Sequence, residues 1–173
     1  GAPILPRDVG LIIGMAGIGS NDRVLDVGTG TGILSICLGK VGASVITYEK
    51  NTKFFEVAQS NIKKAGVEER VEVREGDVIE ELDVLNDFSV ITLDMKDAEL
   101  VVKHARKILR TGGILVAYSP FMESAKKVVE CAKEVGLSDI KTIDTVQREI
   151  EFGARGTRPQ TIGVGHSGYL TFA

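Results

Sequence analysis

The fold is decided by residues 23–32, which read Arg23-Val24-Leu25-Asp26-Val27-Gly28-Thr29-Gly30-Thr31-Gly32. The apolar half predicts a short buried strand, and the glycines that follow predict a tight loop. Residues 33–41 continue as an apolar helix, so the segment is a strand, a glycine loop and a helix. This unit is typical of α/β sheets that bind a nucleotide-like ligand at the carboxyl ends of their strands.

The carboxylate beside the loop indicates which ligand it binds. Asp26 lies two residues before Gly28, where a dinucleotide pyrophosphate would have to approach a fixed negative charge. S-adenosylmethionine has no phosphates and carries a sulfonium and an ammonium, so the same charge favours it. The plainer alternative is a glycine turn that only packs strand against helix. We therefore predict a site for S-adenosylmethionine formed by Asp26, Gly28, Thr29, Gly30 and Gly32.

Further acidic residues follow the second and third predicted strands. Glu49, with Lys50 beside it, lies 21 positions after the first glycine of the loop, near the roughly 20-residue offset at which an acid meets ribose hydroxyls. Asp77, followed by Val78, is placed to accept a hydrogen bond from an adenine amino group. The alternatives are a solvated glutamate and a turn-forming aspartate. The predicted cofactor site therefore extends to these four residues.

The fourth and fifth strands end in candidates for the reaction itself. Asp94 ends the fourth strand, beside the point where a doubly wound sheet reverses its strand order, and we expect it to face the methyl group. A helix N-cap is its plainer interpretation. Tyr118 and Ser119 end the fifth strand on the same edge, where they either line the substrate pocket or only turn the chain.

Strands and helices alternate regularly as far as Gly136. The predicted strands cover residues 23–27, 44–48, 70–74, 88–93 and 114–118. A leading helix starts at Pro6, and further helices cover residues 33–41, the interval between Asn51 and Gly66, 98–109 and 122–135. Such alternation predicts an α/β fold, Rossmann-like, with a mostly parallel sheet and helices on both faces.

The alternation stops in the last third of the chain. Residues 140–152 and 161–172 are predicted as two long strands without a helix between them, joined by residues 153–160. A connection that short makes an antiparallel hairpin at one edge of the sheet. Arg155 and Arg158 place positive charge in its loop, close to the substrate side of the sheet. We expect them to contact an anionic substrate.

Composition limits the partners. The 173 residues, 43% hydrophobic and 26% charged, are enough for one domain with a full-sized core. The net charge of −3 attracts no polyanion in bulk, so a nucleic acid needs a local basic patch or another subunit. The two cysteines have no metal-ligand spacing, so we predict reduced core thiols, no metal and a cytoplasmic location. No apolar run approaches the roughly 18 residues of a membrane span.

The glycine segment resembles that of class I S-adenosylmethionine-dependent methyltransferases. Four other segments resemble the archaeal and bacterial tRNA adenine-N1 methyltransferases, namely Ile4-Leu5-Pro6-Arg7-Asp8, Tyr118-Ser119-Pro120, Arg158-Pro159-Gln160-Thr161 and His166-Ser167-Gly168-Tyr169-Leu170-Thr171-Phe172. The first resemblance implies a seven-stranded sheet in the order 3-2-1-4-5-7-6 with strand 7 antiparallel. The second implies methylation of adenine 58 in the tRNA T-loop by a homotetramer.

The sequence departs from that family at two places. The family's catalytic segment reads Asp-Leu-Pro-x-Pro, whereas here it is Asp94-Met95-Lys96-Asp97-Ala98. The resemblance thus implies that Asp94 is catalytic, and Lys96 is placed to pair with it. The family's small N-terminal β domain has no counterpart here, so we expect one methyltransferase domain over residues 1–173.

Two alternative functions accompany the tRNA interpretation. A small-molecule methyltransferase acting on a corrin-like precursor would account for the acidic net charge and the missing domain. A non-catalytic subunit that binds RNA or a catalytic copy would account for the altered segment after Asp94. The intact glycine loop and Glu49 argue that cofactor binding is retained.

Overall fold

A seven-stranded sheet lies between two layers of helices in the computed structural model, which describes residues 4–161, 163 and 165–173. The strands are β1 (Arg23–Val27), β2 (Ser44–Glu49), β3 (Val71–Glu75), β4 (Phe88–Leu93), β5 (Leu109–Ser119), β6 (Lys141–Ile143), β7 (Ile150–Gly153), β8 (Gly156–Pro159) and β9 (Tyr169–Phe172). The helices are α1 (Pro6–Ala16), α2 (Ile33–Lys40), α3 (Thr52–Ala65), α4 (Glu99–Val102), α5 (Ala105–Ile108) and α6 (Met122–Glu134), and a 3-10 turn covers Val78–Glu80.

The strand order confirms the predicted fold class. The sheet runs β3-β2-β1-β4-β5-β9-β6. Its first five members are parallel, and β9 is antiparallel to both of its neighbours. The order reverses between β1 and β4, so their carboxyl ends open a crevice.

The sheet is covered on both faces, which is why its central strands carry apolar residues on both of their sides. Val24 and Leu25 of β1 point to opposite faces, and both are fully buried. One core packs α1, α2 and α3 on the sheet, and the other packs α4, α5 and α6. This double cover holds the strand ends of the crevice rigidly in place.

The predicted helix over residues 98–109 is wrong in its continuity. The chain forms two short helices, α4 and α5, and β5 begins at Leu109 beside Phe88. The strand then bulges before Ile114 pairs with Val90, with Gly112 at φ 77°. Both helices bury their apolar residues at helical spacing, so the pattern that predicted one helix fits two short ones equally well.

The predicted long terminal hairpin is also wrong in its extent. Only β6 and β9 join the main sheet, and they do pair antiparallel. The chain between them forms a separate hairpin, in which β7 pairs with β8 and all eight residues are exposed. Residues 162 and 164 of the predicted strand lie outside the described residues.

Gly28 generates the first prediction. Its φ is 94°, and a Cβ atom there would lie 2.0 Å from the backbone oxygen of Asp94. Gly28→Ala should therefore push β1 and β4 apart and lower the free energy of unfolding by about 2–4 kcal/mol. Urea denaturation followed by circular dichroism measures the loss.

Gly14 provides the matched control. It lies exposed within α1, and a Cβ atom added there would have no neighbour within 4 Å. Gly14→Ala should leave stability unchanged or raise it by up to about 1 kcal/mol. Equal stability of the two alanine variants would contradict the proposed close approach.

Candidate active site

A cavity of about 370 Å³ opens at the carboxyl ends of the parallel strands. Most of the residues predicted for the cofactor line it. These are Gly28, Thr29, Gly30, Glu49, Lys50, Asp77, Val78 and Asp94. Residues far apart in the sequence meet here because the strands that carry them are neighbours in the sheet.

The glycine loop is fastened to the end of β2. The backbone N–H groups of Gly28 and Thr29 both donate to the carbonyl of Tyr48, at 3.1 and 3.2 Å. The backbone N–H of Gly30 donates to Oε2 of Glu49 at 2.9 Å. The loop is therefore already shaped before any ligand arrives.

Glu49 bridges the loop and the start of α3. Its Oε1 accepts a hydrogen bond from the backbone N–H of Asn51 at 2.9 Å, while Oε2 holds Gly30. Asn51 in turn caps α3 by accepting from the backbone N–H groups of Lys53 and Phe54. Each carboxylate oxygen keeps a further lone pair for a ligand hydroxyl.

Asp77 and Val78 form the wall of the cavity after β3. Oδ1 of Asp77 accepts from the backbone N–H of Ile79 at 3.0 Å, which caps the 3-10 turn. Val78 is buried against the core below. One carboxylate oxygen of Asp77 thus holds its own loop, and the other has no hydrogen bond among the described residues.

Asp94 lies where the strand order reverses. Its backbone N–H donates to the carbonyl of Val27 at 2.8 Å, which joins it to β1. Burial, together with the negative charge of Asp26, raises the pKa of the Asp94 carboxyl to about 6. The expected ion pair with Lys96 is not among the ion pairs of the described chain, although Lys96 lines the same cavity. Asp94 is thus a carboxylate with an elevated proton affinity.

Asp26, which the sequence predicts as part of the cofactor site, lies beneath the glycine loop. It is 2% exposed and is not among the residues that line the cavity. Its Oδ2 accepts from the hydroxyls of Ser35 at 2.5 Å and Thr47 at 2.8 Å, and its Oδ1 accepts from Thr92 at 2.6 Å. The carboxylate turns under the loop because α2 and the strands on either side of β1 supply its donors.

Gly32, Tyr118 and Ser119 also lie outside the cavity lining. Gly32 is the N-cap of α2, with φ 86°. The Tyr118 hydroxyl donates to the carbonyl of Ser167 at 2.5 Å, so the phenol fastens the chain before β9. Ser119 is 2% exposed and pairs with Tyr169 within the sheet. Ser119 is therefore buried within the sheet and is not part of the cavity wall.

Arg155 and Arg158 lie on the exposed β7–β8 hairpin, and Arg158 stands opposite Glu151. The hairpin leaves the sheet after β6, which runs parallel to β5 because both are antiparallel to β9. Its base is tied to the end of β5, since His166 contacts Asp144 Oδ1 and the Pro120 carbonyl, each at 3.2 Å. The hairpin therefore projects from the side of the sheet where the parallel strands have their carboxyl ends, which is also the side of the cavity.

The sequence reasoning missed the apolar part of the lining. It consists of Ile4, Val27, Ile33, Leu34, Phe54 and Met95. Phe54 is 43% exposed although it belongs to the apolar side of α3. Its position one turn after the Asn51 cap, next to the end of β2, is the signal that places it at the strand ends.

The sequence predicted neither a metal site nor a membrane-spanning segment. Within the described residues, no three His, Cys, Asp or Glu side chains come together as a metal site. No helix in the same part of the chain is long and apolar enough to cross a membrane.

The sheet order and the cavity together define the class of protein. A reversal point flanked by a glycine loop, an acidic residue after β2 and a carboxylate after β4 is the arrangement of a Rossmann-like, S-adenosylmethionine-dependent methyltransferase. The family follows from comparison with known proteins. The family model described as the tRNA methyltransferase complex GCD14 subunit matches residues 4–162, so the chain belongs to this family.

A curated relative and two solved structures agree with this assignment. The chain is 38% identical to the tRNA (adenine(57)-N(1)/adenine(58)-N(1))-methyltransferase TrmI of Methanocaldococcus jannaschii, over 98% of this chain and 70% of that protein. The structure of tRNA (m1A58) methyltransferase TrmI from Aquifex aeolicus matches with a TM-score of 0.89 and 24% identity, over 98% of this chain and 68% of that one. An S-adenosylmethionine-dependent O-methyltransferase from Thermotoga maritima matches with a TM-score of 0.92 and 26% identity, over 99% and 66%.

The corrin interpretation has a structural counterpart of a weaker kind. A precorrin 8W decarboxylase from Methanobacterium thermoautotrophicum matches with a TM-score of 0.85 over 99% of this chain and 91% of that one, at 22% identity. At this sequence identity the match shows a shared fold, and it does not indicate which substrate the chain methylates.

The pKa of Asp94 generates the second prediction. Because the pKa of Asp94 is about 6 in the folded chain against 3.8 ordinarily, the native state holds its proton more tightly than the unfolded state. Stability is therefore lost as the pH rises from about 4 to about 6. Asp94→Asn should be more stable than the wild type at pH 7.5 by about 1–3 kcal/mol, with the gain vanishing near pH 4.

Asp97, an exposed aspartate of the same loop, gives the control. Asp97→Asn should change the free energy of unfolding by the same small amount at both pH values. Urea denaturation at pH 4 and 7.5 measures both variants. An Asp94→Asn variant that gains nothing at pH 7.5 would contradict the raised pKa.

Proposed function

We propose that this chain transfers the methyl group of S-adenosylmethionine to N1 of adenine 58 in tRNA. The observation that carries the proposal is the position of Asp94, which lies half-buried in the cavity where the strand order reverses. The chain that holds it belongs to the GCD14 family. A carboxylate there suits a reaction that leaves its product base positively charged. The proposal includes a cytoplasmic location, in keeping with two cysteines that are both free thiols.

The cavity fits this cofactor by its donor set. Glu49 would accept from the ribose hydroxyls, and Asp77 would accept from the adenine amino group with its second oxygen. Phe54, Val78 and Leu34 offer apolar surface for the adenine ring. Such a mixture of apolar walls with a few placed acceptors is what a cofactor pocket requires.

Asp94 would act on the methyl acceptor. When bound, S-adenosylmethionine supplies an electrophilic methyl group on a sulfonium. Adenine N1 is a neutral nucleophile, so no strong base has to remove a proton first. The Asp94 carboxylate would orient the exocyclic amine and stabilise the positive charge that methylation leaves on the base. Lys96, in the same lining, stands where the family resemblance expects a proline, and it adds a positive charge that this carboxylate has to offset.

The hairpin would hold the RNA. A base within a folded loop has to leave its stack to reach a crevice at the strand ends, so the backbone around it must be gripped. Arg155 in the turn and Arg158 in β8 are exposed on a hairpin that projects from the cavity edge. Arginines in that position suit phosphate contacts, although the chain as a whole is acidic.

A homotetramer is also part of the proposal. Phe152 is 83% exposed and Ile150 is 49% exposed on one face of the β7–β8 hairpin. A two-stranded hairpin is marginally stable on its own in water. A second copy of the chain covering this apolar face would stabilise it, and light scattering of the purified protein counts the copies.

The third prediction separates catalysis from cofactor binding. Asp94→Ala should lower the single-turnover rate of methyl transfer by roughly 10²–10⁴, while cofactor affinity changes less than about threefold. Glu49→Ala should instead weaken cofactor binding by about 1–3 kcal/mol, because the ribose loses its charged acceptor. Tritiated methyl transfer and calorimetry measure the two effects.

The substrate in this assay is a tRNA transcript with adenine at position 58, and the control transcript carries guanine there. Methylation of the first transcript alone supports the proposal. Equal methylation of both would move the target to another nucleotide. Turnover of a corrin precursor with neither transcript modified would replace tRNA by a small molecule, and a wild-type rate in Asp94→Ala would reduce that residue to a structural role.

The fourth prediction tests the hairpin. Replacing both Arg155 and Arg158 with alanine should weaken tRNA binding and lower the slope of log affinity against log salt by about two, since each phosphate contact contributes roughly one unit. Filter binding at several salt concentrations measures the slope. Lys133→Ala, on the exposed end of α6, is the control and should leave it unchanged. An unchanged slope in the double variant would place the phosphate contacts elsewhere.

A further inference from the structure

Asp26 is a charged residue that does not line the cavity and has no role in the proposed reaction as described so far. It is 2% exposed, and three hydroxyls from three different elements donate to it. The hydroxyl of Thr47 donates its only proton to Asp26. The hydroxyl of Thr29 is therefore the donor in the 2.6 Å hydrogen bond between Thr29 and Thr47. A relay of hydrogen bonds therefore runs from the cavity lining at Thr29 to a buried carboxylate.

The register of β1 and β4 brings this carboxylate near Asp94. Asp26 pairs with Thr92, and Leu93 pairs with Val27, so Asp94 stands opposite Gly28. Side chains two residues apart on a strand share a face, and Thr92 and Asp94 are two residues apart. Since the Thr92 hydroxyl donates to Asp26, Asp94, which directly follows β4, projects on the face of the sheet that holds the Asp26 carboxylate. The negative charge of Asp26 accordingly acts on Asp94.

We propose that Asp26 is a positioning residue for methyl transfer, a buried negative charge that acts on the reaction through Asp94. This inference rests on the proposed function only in giving Asp94 its role. The charge of Asp26 makes the Asp94 carboxylate a stronger proton acceptor, and thereby a better partner for the amine of a base that becomes cationic. In this role Asp26 acts from outside the cavity lining.

Other charges face Asp94 and have to be weighed with Asp26. Glu49, after β2, acts in the same direction and raises the pKa of Asp94, as a smaller contribution than Asp26. Lys96 follows β4 and lines the cavity. Tyr118, on β5, feels the negative charges of Asp94 and Asp8, which with burial raise its own pKa. Among these groups, Asp26 combines proximity with full burial, where water screens least.

Asp26 has to be ionised for this role. Burial raises the pKa of its carboxyl, and the hydroxyls of Ser35, Thr92 and Thr47 oppose that rise. All three hydroxyls are placed as donors, which is the arrangement that an ionised carboxylate accepts. The network is therefore built to hold a charge inside the protein.

The test compares Asp26→Asn with the wild type in two measurements. The first is the pH titration of Asp94 by NMR on protein with ¹³C-labelled aspartate, assigned with Asp94→Asn. The second is the pH dependence of single-turnover methylation. The amide keeps the size of Asp26 and removes its charge, so the titration midpoint of Asp94 and the acid limb of the rate should both move down by about one pH unit.

Ser35→Ala is the matched control, because it removes one hydrogen bond from Asp26 without removing the carboxylate. It is compared with the wild type at pH values where the ¹³C signal of Asp26 shows that this carboxylate is still ionised. It should not lower the Asp94 midpoint, whereas a merely structural network would give the two variants the same effect. The titration needs no tRNA, so it stands even if the substrate is another molecule. An Asp94 midpoint that is unchanged in Asp26→Asn, or an Asp26 that is still protonated where Asp94 ionises in the wild type, would overturn the proposal.

Discussion

The carboxylate of Asp26 is the interaction on which the site depends. It lies on β1 and accepts hydrogen bonds from hydroxyls on α2, β2 and β4. It thereby ties the strand that leads into the glycine loop to the three elements around it. An ion in that position is costly to bury, and each donor that is removed leaves it with fewer of the hydrogen bonds that offset this cost. The loop above is held in turn by Tyr48 and Glu49. A binding loop with few side chains of its own is thereby made rigid from below.

The same residue shows what a sequence can and cannot predict. Alternating strands and helices were enough to predict the sheet, and the place of each acid at a strand end was enough to bring Glu49, Asp77 and Asp94 to one cavity. Nearness along the chain does not give direction. Asp26 lies two residues from Gly28, yet its side chain turns inward because Ser35, 9 positions later, and Thr92, 66 positions later, supply donors there. Those partners belong to the tertiary structure.

The errors near the end of the chain have a related cause. Apolar alternation normally reports that one face of a strand is buried, and it predicted two long strands where the structure has short ones. In β7 and β8 the alternation continues with no core beneath it, and Phe152 and Ile150 remain exposed. The pattern therefore predicted extended strands correctly, but it did not predict that β7 and β8 pair with each other outside the main sheet. An apolar face that none of the described residues covers is where the proposed second copy of the chain would pack.

Charge explains why the site suits its proposed cofactor. Asp26, Glu49 and Asp94 bring three carboxylates to one end of the sheet, and the first two raise the pKa of the third. This clustering of like charges costs the fold some stability, as is common where binding groups are held in place before the ligand arrives. A ligand with a sulfonium and an ammonium relieves that repulsion, whereas a pyrophosphate would add to it. Selection between the two kinds of ligand therefore begins with a buried negative charge that lies outside the cavity lining.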